Sequence, residues 1–201
     1  MSKPANKPRF RFGKEQLLHL ILFAVLLFLD QITKVWARSE LMNQGKKMFL
    51  PKLLSFLYTE NTGAVWGSFK GQTTFLLIFT IAAFCLLLFA YVKIPQEKKY
   101  RPVRLLLTFI AAGALGNILD RLMFGYVTDF LNFEFIDFPI FNVADIYITV
   151  SEIVLLILVF FVYKDDLEDA NEDAEDEDDT DEDTSDLDIE DEPSKDETGA
   201  E

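Results

Sequence analysis

Half of the 201 residues are apolar, twenty are Phe, and the formal charge is −14 at pH 7. The charge is not spread along the chain: residues 165–201 hold 22 of the 33 acidic residues and one of the 19 basic ones, leaving residues 1–164 with 18 basic against 11 acidic. One Cys and one His exclude a disulfide framework, a zinc site built on His or Cys, and a relay between histidines. Any catalysis therefore rests on carboxylates, hydroxyls or amides.

The chain opens on a basic stretch with Lys3, Lys7, Arg9, Arg11 and Lys14. A first apolar run follows at residues 17–36, and further runs occupy 73–92, 103–124 and 143–163. Each is about the 20 residues that a helix needs to cross a bilayer, and none shows the polar stripe of a soluble amphipathic helix. The prediction is an all-α membrane body of four spans over residues 1–164. The first run is too long for a signal-peptide core and leads into Asp30-Gln-Ile-Thr-Lys34 rather than a cleavage site. A second basic cluster, Lys93, Lys98, Lys99, Arg101 and Arg104, separates spans two and three. Lys and Arg in short flanking segments mark the cytoplasmic side, which puts both termini in the cytoplasm and residues 38–72 and 125–142 outside. Within the first outward segment, the aromatic stretch Phe49 to Thr59 suits short strands and Asn61-Thr62-Gly63 a turn. The acidic stretch 165–201 is too charged and too poor in apolar residues to build a core, and it is expected as a disordered cytoplasmic tail. The mildly basic body points to the membrane surface as partner and not to nucleic acid. Neither a cofactor nor a metal is expected.

Ionisable groups in or beside spans are costly and are the first candidates for a site. Asp30 and Lys34 stand one helical turn apart, where acid and base neutralise each other or tie the helix to a polar centre. Asn117, Asp120 and Arg121 share a face of the third span behind the small-residue pair Ala112 and Gly116, which favours close helix packing. Beside Arg121, Asp120 reads either as a fixed counter-ion or as a reacting group. Asp129 lies just past the third span. Asp145 lies at the start of the fourth, where Asn142 and Asp145 have the spacing of a helix N-cap and its third residue. Those two aspartates come from the two ends of one short outward loop, which can bring them together. Paired carboxylates, one ionised to take a proton from water and one protonated to donate to a carbonyl oxygen, are what peptide hydrolysis requires when Cys, His and metal are absent.

Five blocks, Asp30-Gln-Ile-Thr-Lys34, Glu60-Asn-Thr-Gly-Ala-Val-Trp-Gly67, Gly113-Ala-Leu-Gly-Asn-Ile-Leu-Asp-Arg121, Val127-Thr-Asp-Phe130 and Phe141-Asn-Val-Ala-Asp145, resemble, in order, the signature blocks of lipoprotein signal peptidase, or signal peptidase II. The resemblance covers roughly residues 20 to 160. It implies a bacterial intramembrane aspartic protease that removes the signal peptide of a prolipoprotein just before a diacylglyceryl-modified Cys, at the outer face of the cytoplasmic membrane. It also implies a small extracytoplasmic β-cradle between helices one and two with a mobile element over the site. The dyad falls on Asp129 and Asp145, with Asp120 as the other candidate for one place in it. Asn61, Gly63, Asn117, Arg121 and Asn142 are implied to position the peptide or the aspartates, Asp30 and Lys34 to support them, and the cyclic peptide globomycin to inhibit. Departures from the pattern are Val65-Trp66 where Ala-Phe or Ala-Trp is usual, Glu152 inside span four, and the acidic tail. From another class, a proton-coupled transporter would use Asp30, Asp120, Asp145 and Glu152 as a relay. Such a relay should extend through the bilayer, whereas these groups crowd to one side with Glu152 alone lying deeper.

Overall fold

A computed structural model describes residues 12–63 and 72–164. The chain divides into two compact units, Met1–Leu156 and Ile157–Glu201. Among the described residues, four helices are long and apolar enough to cross a membrane: α1 Lys14–Glu40, α2 Thr73–Lys93, α3 Arg101–Phe124 and α4 Val143–Phe161. The first unit also holds a three-stranded antiparallel sheet in the order β1 Lys47–Leu50, β2 Leu54–Asn61, β3 Val127–Phe133. The described part of the second unit, residues 157–164, contains the last turns of α4 and a closing turn in which the Val162 and Tyr163 amides donate to Leu158 O. The basic stretch 1–11, the acidic stretch 165–201 and residues 64–71, which include Val65 and Trp66, lie outside the described residues.

Helix α3 is the core of the bundle: half of its apolar window is buried, against 22% for α1, 6% for α2 and 11% for α4. Its small residues are the reason. Ala111, Ala112, Gly113 and Gly116 let neighbouring backbones approach where larger side chains would hold them off. A Cβ on Gly113 would stand 2.6 Å from the Ala144 carbonyl oxygen of α4, and one on Gly116 would collide with the Asp30 carboxylate of α1. Gly116→Ala is therefore expected to destabilise by about 1–3 kcal/mol through overpacking, read as a lower thermal midpoint of the detergent-solubilised protein. The remaining helix faces are lined by exposed Leu, Ile, Val and Phe, which suits contact with lipid.

The sheet is built from two separate segments, one between α1 and α2 and one between α3 and α4, and not from residues 38–72 alone. Strand β3 follows α3 directly, after a left-handed turn at Gly125 (φ 80°), and pairs along β2 from Asn61↔Val127 to Leu54↔Phe133. Its first five residues are all buried, so the in–out alternation that advertises a strand is missing from the sequence. Its other edge is covered by Phe141: the Phe130 and Leu131 amides donate to Phe141 O at 3.0 and 2.8 Å, and the Phe141 amide donates back to Leu131 O at 3.0 Å. This bridge fixes where α4 begins. A small core of Ala37, Leu41, Phe130 and Leu131, with Phe56, Tyr58 and Phe141 packed against it, joins the sheet to the end of α1, and Trp36 meets the edges of Phe56 and Phe130.

Candidate active site

Two short backbone features bring the sequence-selected residues together. Asp129 sits on β3 opposite Thr59 of β2, and Phe141, tied to Leu131, delivers Asn142 and Asp145 beside it. Asn142 links the two carboxylates. Its side-chain amide donates to Asp129 Oδ1 at 2.7 Å, its backbone N–H donates to Asp145 Oδ2 at 3.0 Å, and its Oδ1 accepts the Asp145 N–H at 3.1 Å. The last two bonds form a reciprocal cap on the first turn of α4, with Asp in the place usually held by Glu. Helix capping and contact with Asp129 are thus performed by the same residues.

Each carboxylate receives two N–H donors. Asp129 takes a second from Asn61 Nδ2 at 2.9 Å, and Asp145 takes a second from Asn117 Nδ2 at 2.9 Å. Asn61 is oriented by the Gly63 N–H, which donates to its Oδ1 at 3.0 Å. Asp129 is 2% exposed, whereas Asp145 keeps part of its surface open. Burial first, and then the Asp145 charge beside it, push the Asp129 carboxyl up to about 7, against the hydrogen bonds from Asn61 and Asn142.

Behind this pair lies a buried charge cluster. Asp30, Lys34 and Asp120 are fully buried. Lys34 Nζ stands 3.1 Å from Asp30 Oδ2, 3.5 Å from Asp120 Oδ2 and 2.8 Å from Asn117 Oδ1. Asp30 Oδ1 accepts the Ala144 N–H at 3.1 Å, which ties α1 to the first turn of α4. Asp30 and Lys34 thus form an ion pair within α1, and each also reaches a neighbouring helix. Asp120 accepts the Thr128 N–H at 2.9 Å and faces Arg38 Nη1 at 3.4 Å. Arg121 does not pair with Asp120 as its adjacency suggested, because consecutive helix residues do not face each other. Its Nη2 donates instead to Gly63 O at 3.3 Å, and its Nε is buried without a hydrogen-bond partner among the described residues.

The residues missed in the sequence are Arg38 and Thr128. Arg38 Nη1 donates to Thr128 Oγ1 at 2.7 Å, and its guanidinium lies 4.4 Å over the Phe124 ring. A signal was present, since Asp30, Lys34 and Arg38 recur every four residues on one face of α1. Glu152 lies on an exposed face of α4, apart from this cluster.

The family model for signal peptidase (SPase) II matches residues 22–161, a stretch that contains every residue of this cluster. The chain belongs to the signal peptidase II family. It is 40% identical over 146 residues to the lipoprotein signal peptidase of Lactococcus lactis subsp. cremoris (strain MG1363), covering 72% of this chain and 95% of that protein. It is 35% identical over 155 residues to the lipoprotein signal peptidase of Clostridium tetani (strain Massachusetts / E88), covering 76% and 97%. Two solved bacterial membrane enzymes share the fold. One, determined in meso at 2.3 Å resolution, gives a TM-score of 0.66 at 29% identity over 73% of this chain and 89% of its own. The other, at 1.9 Å, gives 0.63 at 28% over 79% and 99%. As a signal peptidase II family member with four apolar helices, the chain is a multi-pass membrane protein and a peptidase.

Proposed function

We propose that this chain removes the signal peptide from prolipoproteins on the amino side of a diacylglyceryl-modified Cys, with Asp129 and Asp145 as an aspartate dyad that activates water. The observation that carries the reading is the Asn142 bridge, which holds two carboxylates side by side at the mouth of a membrane bundle, each supplied with N–H donors. Asp145, partly open, is the base: it takes a proton from water as the oxygen attacks the scissile carbonyl carbon. Asp129, protonated, gives its proton to the carbonyl oxygen. In the second half, the diol returns a proton to Asp129, the C–N bond breaks, and Asp145 passes its proton to the departing Cys nitrogen. The products are a signal-peptide carboxylate and the free amino group of the lipid-modified Cys. Asp120, locked between Lys34, Arg38 and the Thr128 N–H, supports the site instead of reacting. The unpartnered Arg121 Nε and the Asn61–Gly63 turn beside it are placed to hold the substrate backbone.

The basic residues Lys93, Lys98, Lys99, Arg101 and Arg104 lie at the α2–α3 connection, at the opposite ends of these helices from Asp120 and β3. The positive-inside rule then puts that end and both termini in the cytoplasm and the dyad outside. A substrate carrying a diacylglyceryl group would approach within the lipid, with its acyl chains against the exposed apolar helix faces, and globomycin is the expected inhibitor. The test is a gel-shift assay on a diacylglyceryl-Cys precursor and on the same precursor without lipid. The lipid-modified form is expected to be cut and globomycin to stop it; cleavage of both forms alike, or of neither, counts against this reading.

The acid role of Asp129 also sets a pH dependence. A carboxyl raised to about 7 stays protonated where an ordinary Asp is ionised, so the proton donor is lost as pH rises through that value. The kcat/KM profile is expected to fall about tenfold per pH unit above roughly 7. A profile flat to pH 9 would remove Asp129 from that role.

A further inference from the structure

We propose that Lys34 is a positioning residue that sets the hydrogen-bond direction of Asn117 and thereby holds Asp145 in its ionised, base form. The inference rests on the dyad reading above and concerns a residue that acts on neither substrate nor water directly. A side-chain amide can present its oxygen or its NH₂ to either neighbour, and only a group that donates without accepting decides between them. Lys34 is such a group. It is fully buried, it has three N–H donors and no acceptor, and it meets three acceptors: Asp30, Asp120 and Asn117 Oδ1. With its oxygen held at 2.8 Å from Lys34 Nζ, Asn117 must turn its NH₂ to Asp145 Oδ1.

The other two amides of the site are set by the backbone. Asn61 Oδ1 accepts the Gly63 N–H and Asn142 Oδ1 accepts the Asp145 N–H, so both aim their NH₂ at Asp129. Asn117 is the amide whose direction depends on a side-chain cation. Asn142 Nδ2 adds a longer contact to Asn117 Oδ1 at 3.2 Å, but its shorter bond, 2.7 Å, goes to Asp129. Without Lys34, Asn117 Oδ1 keeps only that longer contact, and the amide turns its oxygen toward Asp145 more readily. An amide oxygen facing a carboxylate oxygen is repulsive unless the carboxyl carries a proton between them, so the turned amide favours protonated Asp145, which cannot act as a base. The groups that face Asp145 are Arg121 and Asn117 from α3, Lys34 from α1, Asp129 from β3 and Asn142 at its own cap. Those that face Lys34 are Asp30 on its own helix, Asp120 and Asn117 on α3, Asp129 on β3 and Asp145 on α4.

The experiment follows the acid limb of the kcat/KM profile on a diacylglyceryl-Cys precursor. Removing Lys34 alone leaves two buried carboxylates without it, so Lys34→Met is made in an Asp30→Asn background and compared with Asp30→Asn. The acid limb is expected to move up by about one pH unit, a tenfold loss of rate at fixed acid pH. Asn117→Ala should move it likewise, and adding Lys34→Met and Asp30→Asn to Asn117→Ala should move it no further beyond the Asp30→Asn effect, because Lys34 then has no amide to act through. Equal further movement in the Asn117→Ala background would mean that the Lys34 charge acts on the dyad directly, and overturns the proposal. Should the Lys34 variant not fold, Asn117→Ala and Asn117→Asp carry the test with Lys34 in place. The Asp variant presents only acceptors to Asp145 and is expected to move the limb further than Ala, and a rate loss with an unmoved limb overturns the proposal. Failure of the dyad itself has a different signature, cleavage that survives Asp129→Asn or Asp145→Asn.

Discussion

Replacing Asp120 with Ala is expected to cost the folded protein about 3–5 kcal/mol, the usual consequence of removing one partner from a buried ion cluster. As folded, two carboxylates, Asp30 and Asp120, share two cations, Lys34 and Arg38, and all but Arg38 are fully buried. Without Asp120, a positive charge stays uncompensated inside the bundle, and the Thr128 N–H loses its acceptor. Thr128 immediately precedes Asp129, so loosening β3 at this point also displaces one of the proposed reacting groups. Asp120→Asn retains an oxygen for the Thr128 amide while discarding the charge, and its loss of stability should be smaller. The measurement is thermal unfolding in detergent alongside cleavage rate. If Asp120 supports the site, stability and rate fall together and residual cleavage survives in the folded fraction. Full stability with cleavage abolished would instead move Asp120 into the chemistry.

Much of this architecture is legible in the sequence because its causes are local. Span length and hydropathy define four helices without reference to any partner. The two aspartates at either end of residues 129–145 are separated by too short a loop to lie far apart. Strand β3 is harder to see. It pairs with a strand 66 positions earlier at Asn61↔Val127, and five consecutive buried residues erase the alternating pattern that would have marked it. The Asp120–Arg121 pairing misleads for a related reason, because neighbours in sequence diverge around a helix, and the true partners, Lys34 and Arg38, come from α1. Polar groups buried among helices choose partners by packing, and packing here is dictated by Gly113 and Gly116, whose role becomes plain only when the atoms that occupy their missing side-chain space are known.

The largest effect of all is expected at the dyad. Asp129→Asn and Asp145→Asn each remove a group that, in the proposed mechanism, gains and loses a proton within one turnover, and an amide does neither at neutral pH. General acid or base catalysis contributes about 10²–10⁴-fold, and in the proposed mechanism the two carboxylates act on the same water and carbonyl, so either substitution alone should lower cleavage by about a thousandfold. The fold should survive, because each Asn keeps the size of the carboxylate it replaces and still accepts one of its N–H bonds. One neighbouring amide must then reorient, since Asn offers one oxygen where Asp129 or Asp145 offered two acceptors to two N–H donors. The most direct measurement is single-turnover cleavage of a diacylglyceryl-Cys precursor by purified wild-type, Asp129→Asn and Asp145→Asn proteins of matched thermal stability. Conversion by the wild type and none by either variant on the same timescale is the predicted result. Conversion by either variant within tenfold of the wild-type rate would contradict the dyad.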